Sequence, residues 1–213
     1  MMPLDELGAA ILMTVSITGM SLLLGGVAAI PMMLARMSRL TPLRLTARIF
    51  IDVVRGVPPV VWVFVVYFGI SGNILRLDTF TSAVLSLGLV SAGYLAEIYR
   101  GGMLAVHLGQ MEAARALAFS PWSGFFRIIF PQAYRVCLPA AATYAIALLK
   151  DSSLASAIGA SEITSLATSE ARASGDGITP FIVAGLLYIA LSVPAAYLSR
   201  TLDRRMRAKV SAS

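Results

Sequence analysis

Between two long apolar runs the chain reads Gly109-Gln-Met-Glu-Ala-Ala-Arg-Ala-Leu-Ala118. This stretch carries both signs of charge and consists mostly of good helix formers. A polar helix of mixed charge is not needed to span a bilayer, so we interpret it as part of a loop that docks to a partner on the aqueous side of the membrane. Ser120 and Pro121 then predict a second short helix, with Ser as its N-cap and Pro at its first position.

The second short helix also supports a different interpretation of the loop. It has an apolar side, made of Trp122, Phe125, Phe126 and Ile129. On pattern alone, the two short helices are equally well explained as an amphipathic hairpin that rests on the lipid surface.

The flanking apolar runs place the chain in a membrane. Of its 213 residues, 58% are hydrophobic and 13% are charged, whereas soluble domains carry roughly 25% charged residues. A spanning helix needs about 20 largely apolar residues, and five segments qualify: residues 9–34, 49–70, 79–99, 128–149 and 178–199. We therefore expect an all-α membrane protein with five transmembrane helices, in which residues 1–213 form a single transmembrane domain and residues 100–127 form the polar loop.

The distribution of basic residues predicts the orientation. Arginine and lysine are concentrated after the first, third and fifth segments, and the side richer in these residues is the cytoplasmic one. The N-terminus is then outside and the C-terminus is cytoplasmic, including the basic tail from Arg200 to Ser213. The acidic pair Asp5 and Glu6 does not suit a signal peptide, so the first apolar run is expected to be retained. Residues 150–177 are expected to be irregular or short-helical at the outer face.

Several function classes are excluded by what the sequence lacks. It has no Gly-x-x-x-x-Gly-Lys-Ser/Thr phosphate loop, so this chain cannot bind and split ATP by that mechanism. The single cysteine, Cys137, permits no intrachain disulfide, and the single histidine, His107, permits no multi-histidine metal site. The net charge of +6 does not indicate nucleic-acid binding, because the basic residues lie between apolar runs. No catalytic arrangement and no metal site is expected.

The polar loop resembles the EAA loop of the membrane subunits, or permeases, of ABC importers. That loop reads Glu-Ala-Ala, three residues, Gly, and later Leu/Phe-Pro. Here Glu112-Ala113-Ala114 is followed by Ala118 in place of the glycine, and then by Phe130-Pro131. A glycine suits a left-handed turn at that point, and alanine pays a steric penalty for the same shape.

Three further blocks resemble the polar amino-acid subfamily of these permeases. They are Arg55–Pro59, with Val57 for the usual Thr; Ala92–Gly102, which contains Tyr94, Glu97 and Arg100; and Leu148–Leu154, which contains Lys150-Asp151-Ser152-Ser153. Thr143 stands where the subfamily often has Asn. The blocks occur in the family's order over nearly the whole chain.

The resemblance implies a fold and a function. The fold is the helical bundle of a type I ABC importer permease in a bacterial inner membrane. The function is ATP-driven import of polar or basic amino acids or of opines. The implied partners are a second permease subunit, identical or homologous, two copies of a cytoplasmic ATPase that binds ATP and Mg²⁺, and a periplasmic or lipid-anchored substrate-binding protein. This chain itself would carry no cofactor.

Two sets of candidate site residues are predicted. The ATPase-coupling set follows from the resemblance and consists of Gly109, Glu112, Ala113, Ala114, Arg115 and Ala118. The substrate-path set is chosen only as polar or aromatic side chains on the inner helix faces, and it consists of Tyr67, Ser91, Tyr94, Thr143, Tyr144 and Lys150. Simple packing, or for Lys150 a favourable charge at a helix C-terminus, is the more common explanation of such residues.

Two charge pairs lie near the cytoplasmic helix ends. Glu97 with Arg100, and Asp52 with Arg55, are spaced to pair along one helix face. They either compensate charge locally or form a lattice that ties the helices to the loop. Two other functional classes stay open from the residues alone: a secondary transporter or channel subunit driven by an ion gradient, and a membrane scaffold that docks a cytoplasmic partner without moving solute.

Overall fold

The protein is a bundle of helices, and within the described residues no strand is present. The structure is a computed structural model that describes residues 4–71 and 76–210. The helices are α1 (Leu4–Arg36), α2 (Thr41–Gly56), α3 (Pro59–Phe64), α4 (Thr79–Ala105), α5 (Gly109–Ala116), α6 (Pro121–Gly124), α7 (Phe130–Asp151), α8 (Ile163–Ser174) and α9 (Thr179–Val210). Wider π-helical turns extend α3 over Val65–Ser71 and precede α7 over Phe125–Ile129, and a 3-10 helix follows α7 over Ser152–Ile158.

The all-α fold class is confirmed, and three of the five predicted spans have the length and composition to cross a membrane. Within the described residues these are Asp5–Arg36, Thr79–Ala105 and Thr179–Thr201. The helix predicted over 128–149 forms as α7, but it is not among them. The count of five spans and their orientation stay predictions.

The segment 49–70 differs from its prediction as one straight spanning helix. It is broken at Val57 and Pro58, and the two halves, Thr41–Gly56 and Pro59–Ile70, are bent by 99°. The residue before a proline is pushed out of the helical region, and Val57 is accordingly extended, with φ −86° and ψ 132°. The indole N–H of Trp62 donates to the carbonyl of Val54 at 3.1 Å. This bond crosses the bend and gives a partner to one of the last carbonyl groups of α2, which have none within the helix.

The centre of the bundle is α4, which packs against α1 along most of its length. Small residues allow this approach: a Cβ added to Gly25 would lie 2.3 Å from the Cβ of Ser91. Gly25 is therefore a point of close packing between α1 and α4. A glycine likewise allows α4 to approach α7 closely, because a Cβ at Gly102 would lie 2.1 Å from the Sγ of Cys137.

The segment after α7 is ordered and short-helical, as expected. The 3-10 helix ends at Gly159, whose φ of +85° lies in the left-handed region that glycine adopts without strain. α8 then packs between α1 and α9, around a small cluster of Ala10, Ile163, Ala167 and Ala184. Helix α9 continues as far as Val210 into the tail predicted as a basic extension; Ser211–Ser213 and the side chains of 202–210 lie outside the described residues.

Candidate functional site: the polar loop and the cluster above it

The polar loop folds as the predicted pair of short helices, α5 and α6. At the C-terminus of α5, the N–H of Ala118 donates to the carbonyl of Arg115 and the N–H of Phe119 donates to that of Ala114, each at 3.0 Å. This bond pattern is a Schellman motif, which requires a left-handed residue. Ala118 supplies it, with φ 56°, the sole non-glycine with positive φ within the described residues.

The turn into α6 is fixed by a side-chain cap. The Ser120 hydroxyl accepts the N–H of Ser123 at 3.2 Å, and Pro121 begins the helix. The predicted N-cap and first residue are both confirmed. The loop is therefore a rigid hairpin with an unstrained second helix, and its backbone strain is confined to Ala118.

Five of the six predicted coupling residues lie at or near the surface of this hairpin. Glu112, Ala113, Arg115 and Ala118 are exposed and Gly109 is half-buried. Ala114 is different, since only 1% of its surface is exposed. A Cβ at Gly124 would lie 3.4 Å from the Cβ of Ala114, so Ala114 is the point where α5 packs on α6. Ala114 is therefore covered by α6 in this structure, and its role in docking stays a prediction.

Large apolar side chains surround the exposed coupling residues. Leu108, Leu117 and Trp122 are 85%, 71% and 75% exposed. Isolated exposed apolar residues are ordinary, but a group of large ones beside a polar helix is typical of a surface that a partner covers. The hairpin thus offers a small apolar patch with a charged helix in its middle.

A glutamine at the start of α7 lies close to the hairpin. The side-chain amide of Gln132, in the first turn of α7, donates to the carbonyl of Ile128 at 2.8 Å and reaches the Gln110 Oε1 on α5 at 3.5 Å. Since α5 follows α4 after only a short link and α6 leads directly into α7, a force on the hairpin acts on both long helices.

A three-residue ion cluster lies at the end of α4 nearest the hairpin. Both Nε and Nη2 of Arg100 donate to one carboxylate oxygen of Glu97, at 2.9 and 2.6 Å. The other oxygen faces the Nε of Arg36, on α1, at 3.5 Å. The predicted pairing of Glu97 with Arg100 is confirmed, and the cluster also ties α1 to α4. Arg36 lies 61 positions before Glu97, and no local pattern links the two residues.

The predicted pairing of Asp52 with Arg55 is wrong. Asp52 pairs with Arg48, at 3.6 Å on an exposed face of α2. Arg55 turns away, and its guanidinium carbon lies 5.0 Å from the centre of the Tyr94 ring. A cation over an aromatic face is attracted by the ring quadrupole, so this contact links α2 to α4.

Three of the six predicted substrate-path residues come together beneath Arg55. The rings of Tyr94 and Tyr144 stack with their centres 5.1 Å apart. The Tyr144 hydroxyl donates to the Oγ of Ser91 at 3.0 Å, and Ser91 is fully buried. The result is a continuous column from α2 through α4 to α7, with Arg55 at one end and a buried hydroxyl pair at the other.

The other three predicted path residues are placed elsewhere. Tyr67 packs on the core beside Phe68, Thr143 is exposed and donates to the carbonyl of Pro139 at 3.0 Å, and Lys150 is exposed at the end of α7. Among the side chains that the structure describes, no group of three histidine, cysteine or carboxylate residues is gathered.

Comparisons with known proteins match the chain to one family over most of its length. Residues 21–208 match the family described as "Binding-protein-dependent transport system inner membrane component". The nopaline transport system permease protein NocM of Agrobacterium fabrum is 35% identical, over 96% of this chain and 91% of its own length. The glutamine transport system permease protein GlnP of Escherichia coli is 35% identical, over 76% of this chain and 74% of its own.

Solved structures show the same fold. A chain of an amino acid ABC transporter crystallised with histidines superposes with a TM-score of 0.87 at 30% identity, covering 94% of both chains. A chain of the MetNI methionine ABC transporter in an inward-facing conformation reaches 0.78 at 18% identity, covering 95% of this chain and 97% of that one, and at that identity it supports the fold alone.

Proposed function

Because this chain belongs to the family of binding-protein-dependent transport system inner membrane components, we propose that it forms the translocation path of an ATP-driven importer of polar or basic amino acids or of opines. Relatives named for nopaline, glutamine and arginine support this substrate class. The chain is a membrane permease and not itself an enzyme. Family membership implies a separate ATPase, which would bind the ATP and Mg²⁺, and a substrate-binding protein as partners.

The finer assembly is also part of the proposal. A second permease subunit, identical or homologous, pairs with this one, two copies of the ATPase lie on the cytoplasmic side, and the binding protein delivers substrate at the outer face. The observation that carries the coupling role is the hairpin α5–α6. It exposes Glu112 and Arg115 beside a patch of large apolar side chains, while its buried side is locked at Ala114.

Force applied to this hairpin has two routes into the bundle. On one side, Gln110 of α5 contacts Gln132 of α7. On the other side, α5 follows α4, and Glu97 of α4 is paired with Arg36 of α1 and with Arg100. Packed helices are bistable and not continuously deformable, so a small movement of the hairpin is expected to switch the bundle between an inward-open and an outward-open arrangement.

The column of Arg55, Tyr94, Tyr144 and Ser91 is the proposed substrate path. Polar groups inside a membrane bundle mark pathways, and a tyrosine ring offers a face to cationic groups. In this structure Arg55 already occupies a face of Tyr94. A substrate with a cationic head would compete with Arg55 for that face.

Reversal of the charge at Glu112 tests the coupling role. The importer, assembled with its ATPase and binding protein, is reconstituted in vesicles, and uptake and ATP hydrolysis are measured together. In Glu112→Lys, uptake is expected to fall by about tenfold, the loss that corresponds to about 1.4 kcal/mol of docking free energy, while membrane insertion is unchanged. Glu112→Gln is the matched control, because it keeps the hydrogen-bonding shape and is expected to retain most of the uptake.

Two outcomes would overturn this proposal. Normal uptake by Glu112→Lys would show that the hairpin is not the docking surface. Uptake that survives ATP depletion but collapses with an ionophore would instead identify a transporter driven by an ion gradient.

A further inference from the structure

A buried carboxyl lies at the start of α8, away from both candidate sites. Glu162 is fully buried and is the N-cap of α8. Its Oε1 accepts the N–H of Ser165 at 2.8 Å, and its Oε2 accepts the hydroxyl of Tyr188, on α9, at 2.6 Å. A cap made of serine or asparagine would satisfy the helix end without burying a charge, so the carboxyl is not explained by capping alone.

The surroundings of this carboxyl are polar but contain no cation that pairs with it. α1 contributes Thr14, whose hydroxyl accepts the N–H of Ile163 at 3.3 Å and donates to the carbonyl of Ala10 at 3.0 Å. The other charged side chains that the structure describes on α1, α8 and α9 are Asp5, Glu6, Arg36, Glu170, Arg172 and Arg200, and Lys150 and Asp151 precede the 3-10 helix that also contacts α8. Among the described residues, no lysine or arginine forms a salt bridge with Glu162.

The hydrogen bonds around Glu162 are satisfied whether or not the carboxyl carries a proton. The Thr164 hydroxyl lies 3.3 Å from that of Tyr188, and either oxygen can be the donor. When Glu162 is ionised, Thr164 donates to Tyr188 and Tyr188 donates to Glu162. When it is protonated, the order reverses, and Glu162 donates to Tyr188, which donates to Thr164. Protonation therefore replaces a charge-assisted bond, the stronger kind, by a neutral one without leaving a buried group unpaired.

A cavity lies beside this carboxyl. A space of about 360 Å³ lies between the start of α1 and α8 and is lined by Glu6, Ser161, Ser165 and Ser169 with three apolar residues. Ser161 adjoins Glu162 in the chain, and the Ser165 N–H is bonded to its carboxylate. The cavity therefore ends one residue from the buried carboxyl, beside the start of α1.

We propose that Glu162 is a proton-sensitive positioning residue that holds α8 against α9, so that the seating of α8, and with it transport, responds to pH on the outer side. In the ionised state a desolvated charge is buried between α8 and α9, so α8 is seated less stably than in the protonated state, although the bond from the Tyr188 hydroxyl is the stronger one when it is charge-assisted. The residue touches no substrate and acts through α8, which packs against α1 and α9.

The sign of the pH effect follows from the burial of the carboxyl. Desolvation raises the pKa of Glu162 above its ordinary value, although its bonds to Tyr188, Thr164 and Ser165 act in the opposite direction. The folded protein therefore binds this proton more readily than the unfolded chain. The group's contribution to stability is then largest below the unfolded pKa, and it is lost as pH rises through the higher folded pKa.

The test follows the proton directly and then follows transport. The full transporter is reconstituted, and the infrared band of protonated carboxyl groups is titrated against pH. Glu162→Gln, whose amide mimics the protonated state and still accepts the Ser165 N–H, should remove one buried carboxyl from this titration. Tyr188→Phe removes a bond that favours the ionised form, so it should shift the midpoint to higher pH. Glu6→Gln, at the rim of the cavity, should leave the midpoint in place.

Uptake is measured in the same vesicles with the inner pH held constant and the outer pH varied. The uptake rate of Glu162→Gln at every outer pH should equal the rate of the wild type below the titration midpoint. The change in uptake that the wild type shows as pH crosses the midpoint should be absent from the variant. An identical pH response in wild type and Glu162→Gln, or an infrared titration unchanged by the substitution, would overturn the inference. The uptake arm rests on the proposed function, whereas the infrared arm does not, so a failure of one is distinguishable from a failure of the other.

Discussion

Replacing Ala118 by glycine should stabilise the coupling hairpin, although it removes a methyl group. Ala118 holds a left-handed conformation with φ 56°, because the Schellman motif at the end of α5 demands it. In that conformation the Cβ of an L-residue crowds the following carbonyl, at a cost of roughly 1–2 kcal/mol. Glycine has no Cβ and avoids this cost. The side chain of Ala118 is exposed, so little packing is lost.

The size of the effect is the difference between two terms. Glycine loses more freedom on folding, and this opposes the gain by about 0.4–1 kcal/mol. The net stabilisation of the hairpin is therefore about 0.5–1 kcal/mol. Since RT is about 0.6 kcal/mol, the opening equilibrium of the hairpin should fall by about two- to fivefold.

Amide hydrogen exchange at Phe119 measures this opening. Its N–H closes the turn by donating to the carbonyl of Ala114, so it exchanges when the turn opens. Exchange in Ala118→Gly should be about two- to fivefold slower than in the wild type. Ala116→Gly is the matched control, an exposed helical position where glycine costs about 1 kcal/mol and exchange should accelerate. Equal or faster exchange in Ala118→Gly would refute the strain argument.

Three other substitutions test the packing of the bundle through thermal unfolding in detergent. Gly25→Ala places a Cβ 2.3 Å from that of Ser91 and should destabilise by about 1–3 kcal/mol through overpacking, whereas the same change at Gly8, with nothing within 4 Å, should not. Tyr144→Phe removes the hydroxyl bonded to the buried Ser91 and should cost about 1–3 kcal/mol; an unchanged midpoint would contradict this. Glu97→Gln deprives two arginines of their counter-charge and should lower both the midpoint and the uptake per ATP hydrolysed.

The long helices could be predicted from hydropathy because the requirement that creates them is local. A run of about 20 apolar residues is sufficient for a spanning helix, and α1, α4 and α9 follow it. The bend in segment 49–70 was missed because the apolar run continues through it. A local signal for the bend was present, since Val57 precedes two prolines. A hydropathy value averaged over many residues does not detect a helix break that a single residue causes.

The site could be predicted only where its residues are near neighbours in sequence. Glu97 and Arg100 lie three apart on one helix, and their pairing was predicted. Arg36 joins them only because α1 packs on α4. Likewise, the burial of Ala114 depends on the fold of the hairpin, which brings Gly124 against it. Contacts of this kind are set by packing between helices and leave no local pattern.

The distribution of close contacts indicates how a movement of the hairpin would spread. Helix α4 is two-thirds buried over its most apolar window, whereas α9 is only 6% buried. Close helix contacts at Gly25 pack α1 against α4, and those at Gly102 pack α4 against α7. The ion pairs of Glu97 add a polar contact between α1 and α4 near the hairpin. Interlocked helices of this kind cannot slide past one another without clashes. We therefore expect α1, α4 and the adjoining part of α7 to move as one body.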